Sequence, residues 1–276
     1  MATVEPAADV PNRYVQIIER IFADRYVAGA KEIGFNRSEI ERVAKQLKIR
    51  LPKNIGDVIY SFRYRVALPA SIASKAPKGF HWLIRPKGKA LYSFSLSPRV
   101  DIAPNPLIAE TLIPDSTPGL VKKYAQTDEQ ALLARLRYNR IIDIATGITC
   151  YSIQNHLRTF IKEIGQVETD ELYVGVDKNG SHYVLPVQAK GGRDRLNIVQ
   201  IEQDFALCAS KFPYLICRAI AAQFMADERI AIFIFENSPA GPKMASGGEL
   251  HYTLVKPDDV TPELLATYRE RLPRVI

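Results

Sequence analysis

The stretch from Glu168 to Lys190 constrains this chain more than any other. Two apolar runs, Leu172-Tyr173-Val174-Gly175-Val176 and Tyr183-Val184-Leu185-Pro186-Val187, flank Asp177-Lys178-Asn179-Gly180. Apolar, β-branched and aromatic residues on either side of such a turn specify an antiparallel β-hairpin. The outer ends of both runs are polar, with Glu168, Asp170 and Glu171 before the first and Gln188 and Lys190 closing the second. A hairpin brings those ends together, so acids, an amide and a lysine gather where a buried sheet is otherwise apolar.

The turn decides which side chains meet. If Asn179-Gly180 is a two-residue type I′ turn, Glu171 faces Gln188. If residues 177–180 form a type I turn closed by a left-handed glycine, Asp170 faces Gln188 and Glu168 faces Lys190, all on one face of the pair. Aspartate first and glycine fourth favour this second register. It places the Asp170 carboxylate, the Gln188 amide oxygen and the Ala189 carbonyl where they can hold a hard divalent cation, Mg2+ with Mn2+ as substitute. Lys190, on the same face as Gln188, would orient or help deprotonate an attacking water, and Glu168 would bind the same ion, a second one, or Lys190. The competing reading is an inert edge hairpin with solvated acids.

The pattern Glu168-x-Asp170, a glycine turn, then Gln188-x-Lys190, with a helix before it and a helix and strand after it, resembles the PD-(D/E)XK nuclease superfamily of restriction-endonuclease-like folds. It is most similar to the Q-x-K branch that includes Mrr-type restriction enzymes. The resemblance covers residues 150–236 and implies metal-dependent hydrolysis of DNA phosphodiesters, with Asp170, Gln188 and Lys190 in the motif positions. It also implies, for many members, a further acid on the preceding helix. The sequence reads as a helix over 151–164, where Glu163 is the only carboxylate, and Glu163 fits a solvated residue better than a ligand. Gln188 stands where most members carry an acid. Arg158, Arg193 and Arg195 are candidate phosphate contacts, while His156 and Gln200 read as polar-network residues.

Charge separates this region from the rest. Residues 1–100 carry 18 Lys and Arg against 8 Asp and Glu, and the remaining residues 19 against 22, so the net +7 comes from the first third. Helical spacing appears at Tyr14, Val15, Ile18, Ile21 and Phe22. Ser38 through Glu41 reads as a capping box for a helix burying Ile40, Val43 and Leu47. Asn54 can cap a third helix carrying Ile55, Val58, Ile59 and Phe62. A hairpin follows, residues 80–84 and 90–94 around Pro86-Lys87-Gly88-Lys89. Three helices and a basic-tipped hairpin are the order of a winged helix, with Lys48, Arg50, Lys53, Asn54, Arg63, Arg65, Lys87 and Lys89 as the expected DNA contacts. The alternative is an ordinary helical domain with solvated cations.

Prolines 98, 104, 106, 114 and 118 mark a linker. The expected organisation is a winged-helix-like DNA-binding domain over 1–97, a Pro-rich linker over 98–124 and a nuclease domain over 125–276. The last reads as helices over 128–146, 151–164 and 197–210, strands over 168–176, 182–190, 214–222, 229–235 and 250–256, and a closing helix opened by Thr261-Pro262. The fold class is α/β (α+β), a mixed sheet flanked by helices. No apolar run reaches the roughly 20 residues of a membrane helix, no secretory signal is visible, and three cysteines without a C-x-x-C pair fit a reducing, cytoplasmic setting. The expected function is a Mg-dependent endonuclease acting as a homodimer on double-stranded DNA. The alternatives are a non-enzymatic winged-helix regulator and a resolvase or repair nuclease.

Overall fold

The structure, a computed structural model, describes residues 12–64, 66–98, 102–124, 129–162, 164–191, 196–225, 227–239 and 241–271. The chain divides into two compact units. The first comprises Met1–Ala103, His156–Thr169 and Arg193–Pro213, the second Pro104–Asn155, Asp170–Gly192 and Tyr214–Ile276.

The first unit opens with α1 (Asn12–Arg25), β1 (Glu32–Asn36), α2 (Arg37–Gln46), α3 (Gly56–Tyr64) and the short α4 (Ala70–Ala73), followed by β2 (Phe80–Pro86) and β3 (Leu91–Pro98). The strands pair antiparallel in the order β1-β3-β2. Strand β1 was not legible as a strand; it leads directly into α2 and leaves Asn36 as the cap of that helix. The capping box therefore opens at Asn36 with Glu39 as its third residue, two positions before the expected Ser38. Ile40 and Val43 are buried as expected, whereas Leu47 is 38% exposed because it lies past the last turn of α2. Ile17, Ile18, Ile21, Phe22, Val58, Ile59, Phe62, Trp82 and Phe94 form one core with them.

In the second unit, β4 (Glu110–Pro114), α5 (Gly119–Tyr124), α6 (Glu129–Tyr138) and α7 (Ile141–Thr146) precede three long strands, β5 (Thr149–Ile161), β6 (Gly165–Val176) and β7 (His182–Lys190). Helix α8 (Ile198–Lys211) is part of the first unit. Then come β8 (Ile216–Cys217), β9 (Ala219–Phe224), β10 (Ile230–Ser238), β11 (Gly241–Val255) and α9 (Pro262–Glu270). The sheet is eight-stranded and mixed, in the order β4-β11-β10-β9-β7-β6-β5, with β8 attached to β7. β7 is antiparallel to β6 and parallel to β9, and β9 is antiparallel to β10. The unit divisions fall inside β5 and β6, so their Thr149–Asn155 and Asp170–Val176 portions belong to the second unit. Leu132, Leu133 and Leu136 of α6 and Ile141 and Ile142 of α7 share a core with Leu185, Val187, Ile220 and Ile232.

Three sequence expectations change here. Residues 149–161 form a strand, not a helix: Ile153, Leu157, Phe160 and Ile164 recur at helical spacing, but Thr, Tyr, Ile and Phe favour extended backbone. The expected helix 128–146 is two helices, broken where Arg140 adopts a left-handed conformation (φ 51°). The proline-rich stretch is not simply a linker, since Glu110–Pro114 pairs parallel with β11 and α5 follows it. Gly175 lets the crossing from α7 into β5 pass close by, because a Cβ there would lie 2.5 Å from Ile148 Cγ2 and 2.9 Å from the Thr149 carbonyl oxygen.

Candidate active site

The turn sets the register. Asp177 Oδ1 accepts from the amides of Asn179 (2.8 Å) and Ser181 (2.9 Å), and Gly180 occupies the left-handed region at φ 80°. The Ser181 and Asn179 amides and the Tyr183 hydroxyl hold the Asp177 carboxyl below its ordinary range. The Asp177 amide donates to the Ser181 carbonyl, and pairing then runs from Val176↔His182 to Glu171↔Val187. This is the second of the two registers, the one that sets Asp170 level with Gln188.

At the far end of β7 the polar residues converge. Asp170 Oδ2 accepts from the Ala189 amide at 2.8 Å. Asp170, Gln188 and Lys190 are 9%, 1% and 8% exposed, so all three are drawn into the protein beside one another. A charge-assisted hydrogen bond of this kind contributes about 1.5–3 kcal/mol and fixes where the carboxylate sits. Lys190 Nζ is 2.7 Å from Glu129 Oε1, in the first turn of α6, whose leucines anchor it to the sheet. Glu129 is the residue the sequence reading missed. It is an acid in the first turn of α6, which with α7 precedes the three strands, and it went unseen because the preceding helix was placed at 151–164. Glu163 lies outside the described residues. Glu168, expected opposite Lys190, pairs in the first unit with Arg158 Nε at 2.9 Å.

The opposite face of β6 carries a second polar group. Glu171 is fully buried; its Oε1 accepts from Arg137 Nε (2.9 Å) and from Ser152 Oγ (2.5 Å). Arg137 also donates to Asn155 Oδ1. Burial pulls the Arg137 guanidinium down, but Glu171 more than offsets this and holds it above its ordinary value. Burial, then the adjacent Glu171 charge, push the Tyr173 phenol well up. Neither Arg137 nor Ser152 was singled out by sequence.

The donors at the Asp170 end are oxygens: one carboxylate, one amide carbonyl and the Ala189 backbone carbonyl. They fit a hard divalent cation that retains several waters. Among the described residues no group of three His, Cys, Asp or Glu could hold a metal ion, so a cation here would rest on Asp170 and neutral oxygens.

In the first unit, Lys48, Arg50, Lys53 and Asn54 are exposed in the segment between α2 and α3. Asn54 is partly committed as a cap: its Oδ1 accepts from the Gly56 amide at 3.1 Å and its Nδ2 donates to Asp57 at 2.7 Å. Arg63 departs from expectation. Its Nε and Nη2 are buried, and its carbonyl accepts from Asn197, the cap of α8. Arg85 forms two hydrogen bonds to Glu202 of α8, at 2.7 and 2.6 Å. The hairpin tip is also engaged. Lys87 pairs with Glu32 at 2.6 Å, and the Gly88 amide donates to the Ile164 carbonyl at 3.4 Å. Lys89 and Arg158 are exposed. Arg65, Arg193 and Arg195 lie outside the described residues. Compared with protein-family models, with curated proteins and with solved structures, the chain matches none.

Proposed function

We propose that this protein is a metal-dependent endodeoxyribonuclease of restriction type, hydrolysing DNA phosphodiesters at Asp170, Gln188 and Lys190 with Glu129 as the fourth member of the site. The observation that carries the reading is the Asp170 carboxylate bonded to the Ala189 amide, level with Gln188, beside a lysine held by an acid from α6. The order of elements supports a restriction-endonuclease-like core: helices α6 and α7, three successive strands, helix α8, and a strand parallel to the third. In the first unit, the order α1, β1, α2, α3, the short α4, hairpin, with β1 added beside β3, supports a winged-helix-like DNA-binding module.

Asp170, Gln188 and the Ala189 carbonyl would hold magnesium, which supplies positive charge for the phosphate oxygens and acidifies water. The Ala189 amide keeps the Asp170 carboxylate in place. Glu129 keeps the Lys190 ammonium at the site, where it can donate hydrogen bonds to a phosphate oxygen or align the attacking water. Lys48, Arg50 and Lys53 offer sequence-independent phosphate contacts. Arg63, whose Nε and Nη2 are buried, is left out of this surface, and Lys87 enters it only by exchanging Glu32 for phosphate.

Conversion of supercoiled plasmid in the presence of magnesium tests the reading. Lys190→Ala is expected to lower the rate about 10²–10⁴-fold, the usual contribution of a positioned proton-transfer or charge-stabilising group. Undiminished cutting by Lys190→Ala, or salt-sensitive DNA binding with no cutting by the wild type, would remove the nuclease and leave a DNA-binding protein.

A further inference from the structure

Strand β5 ends the large sheet, and among the described residues no strand pairs with its outer side. Proteins usually guard such edges with charge, proline or brevity. The opposite edge follows that rule, since β4 is five residues long, begins at Glu110 and ends at Pro114. The second-unit portion of β5 does not: Thr149-Cys150-Tyr151-Ser152-Ile153-Gln154-Asn155 has no charged residue and no proline. Tyr151 and Ile153, on one face of the strand, are 61% and 50% exposed.

We propose that this edge is the dimer interface, where β5 of one copy pairs antiparallel with β5 of a second copy about a two-fold axis at Ser152. Self-pairing sets identical segments against each other, so a charge near the axis would face its own kind, which is destabilising across strands; this segment carries none. A two-fold at Ser152 also brings Tyr151 opposite Ile153 of the second copy, twice, and aromatic with β-branched is a favoured cross-strand combination. The Cys150 amide, already given to Asp143 Oδ1 at 2.9 Å, marks where the ladder stops. A ladder this short is smaller than a standard interface of about 1,600 Å2, so micromolar affinity is expected.

The pairing stands without the nuclease reading, but one consequence rests on it. Ser152 is hydrogen-bonded to Glu171 and therefore lies beside the part of β6 that carries Asp170. The two β6 strands of the dimer would lie three strand spacings apart, about 14 Å. That separation suits two sites acting on opposite strands of one duplex, whose grooves are about 12 and 6 Å wide.

Sedimentation equilibrium over about 1–100 µM protein, the range set by micromolar affinity, tests the pairing. The wild type is expected to rise from 31.0 kDa toward twice that mass. Ile153→Lys and, as an independent variant, Tyr151→Glu are expected to stay at the monomer mass with unchanged circular dichroism. A wild type that remains monomeric, or folded variants that dimerise like it, would overturn the proposal. On plasmid, Ile153→Lys is expected to nick at the wild-type rate but to lose linearisation about ten-fold or more, because the second cut no longer gains from a tethered site. A wild type that dimerises and cuts nothing removes the nuclease reading and leaves the pairing in place.

Discussion

Asp170 and Glu171 are neighbours in one strand, yet the two faces of β6 treat them differently. Glu171 has no exposed surface, and its Oε1 is held by Arg137 from α6 and Ser152 from β5. Asp170 is anchored through Oδ2 to a backbone amide, in a row with Gln188 and Lys190 that ends at the half-exposed acid Glu129. A buried carboxylate held by an arginine and a serine is a strut. The Asp170 carboxylate is fixed by a backbone amide with oxygen donors beside it, which on the reading proposed above is where a cation would sit. Sequence alone shows two acids in succession, and only the register separates their roles.

The largest way to break this comparison is Arg137→Met, which leaves the Glu171 carboxylate buried without its countercharge. Removing one partner of a buried pair costs about 3–5 kcal/mol. Ser152 still donates to Glu171 and Arg137 is itself partly exposed, so a loss near about 3 kcal/mol is expected in urea unfolding. A loss below about 1 kcal/mol, the worth of an exposed pair, would show that Glu171 is not a strut.

On the other face, Glu129→Gln removes the charge beside Lys190 while keeping an acceptor of the same shape. Outer partners that orient a site are typically worth 10–100-fold, so cleavage is expected to slow by about that factor with the melting temperature nearly unchanged. An unaltered rate would place Glu129 outside the site. The smallest effect is expected for Gly180→Ala. Nothing lies within 4 Å of the added Cβ, so the cost is that of a left-handed alanine, about 1 kcal/mol by chemical denaturation. A neutral result would mean that the turn does not depend on the left-handed glycine.

How much of this was legible in sequence follows from physical reach. Strand β7 is found at its expected bounds because Tyr183-Val184-Leu185-Pro186-Val187 has one apolar reading and Gly180 fixes its start. The Asp170/Gln188 register followed from turn chemistry alone. Strand β5 was misread because residues 151–156 are exposed on both sides, so no strand alternation is imprinted on them, while Ile153, Leu157, Phe160 and Ile164 fall at helical spacing. Glu129 could not be joined to Lys190 while that error stood, since the pair is 61 residues apart and is made by packing. Arg63 and Asn197 are likewise joined only by the packing of α8 within the first unit, and no local pattern announces that a cation in a basic helix turns inward.

The most direct measurement compares the two neighbouring acids under single-turnover cleavage of a labelled duplex with magnesium, using Asp170→Asn and Glu171→Gln. Asparagine still offers an oxygen to the Ala189 amide and glutamine still offers one to Arg137, so both proteins are expected to fold. Cleavage is expected to fall by about 10²-fold or more in Asp170→Asn and to stay within a few-fold of wild type in Glu171→Gln. Equal losses in the two variants, or full activity in Asp170→Asn, would contradict the assignment of Asp170 to the chemistry and Glu171 to the fold.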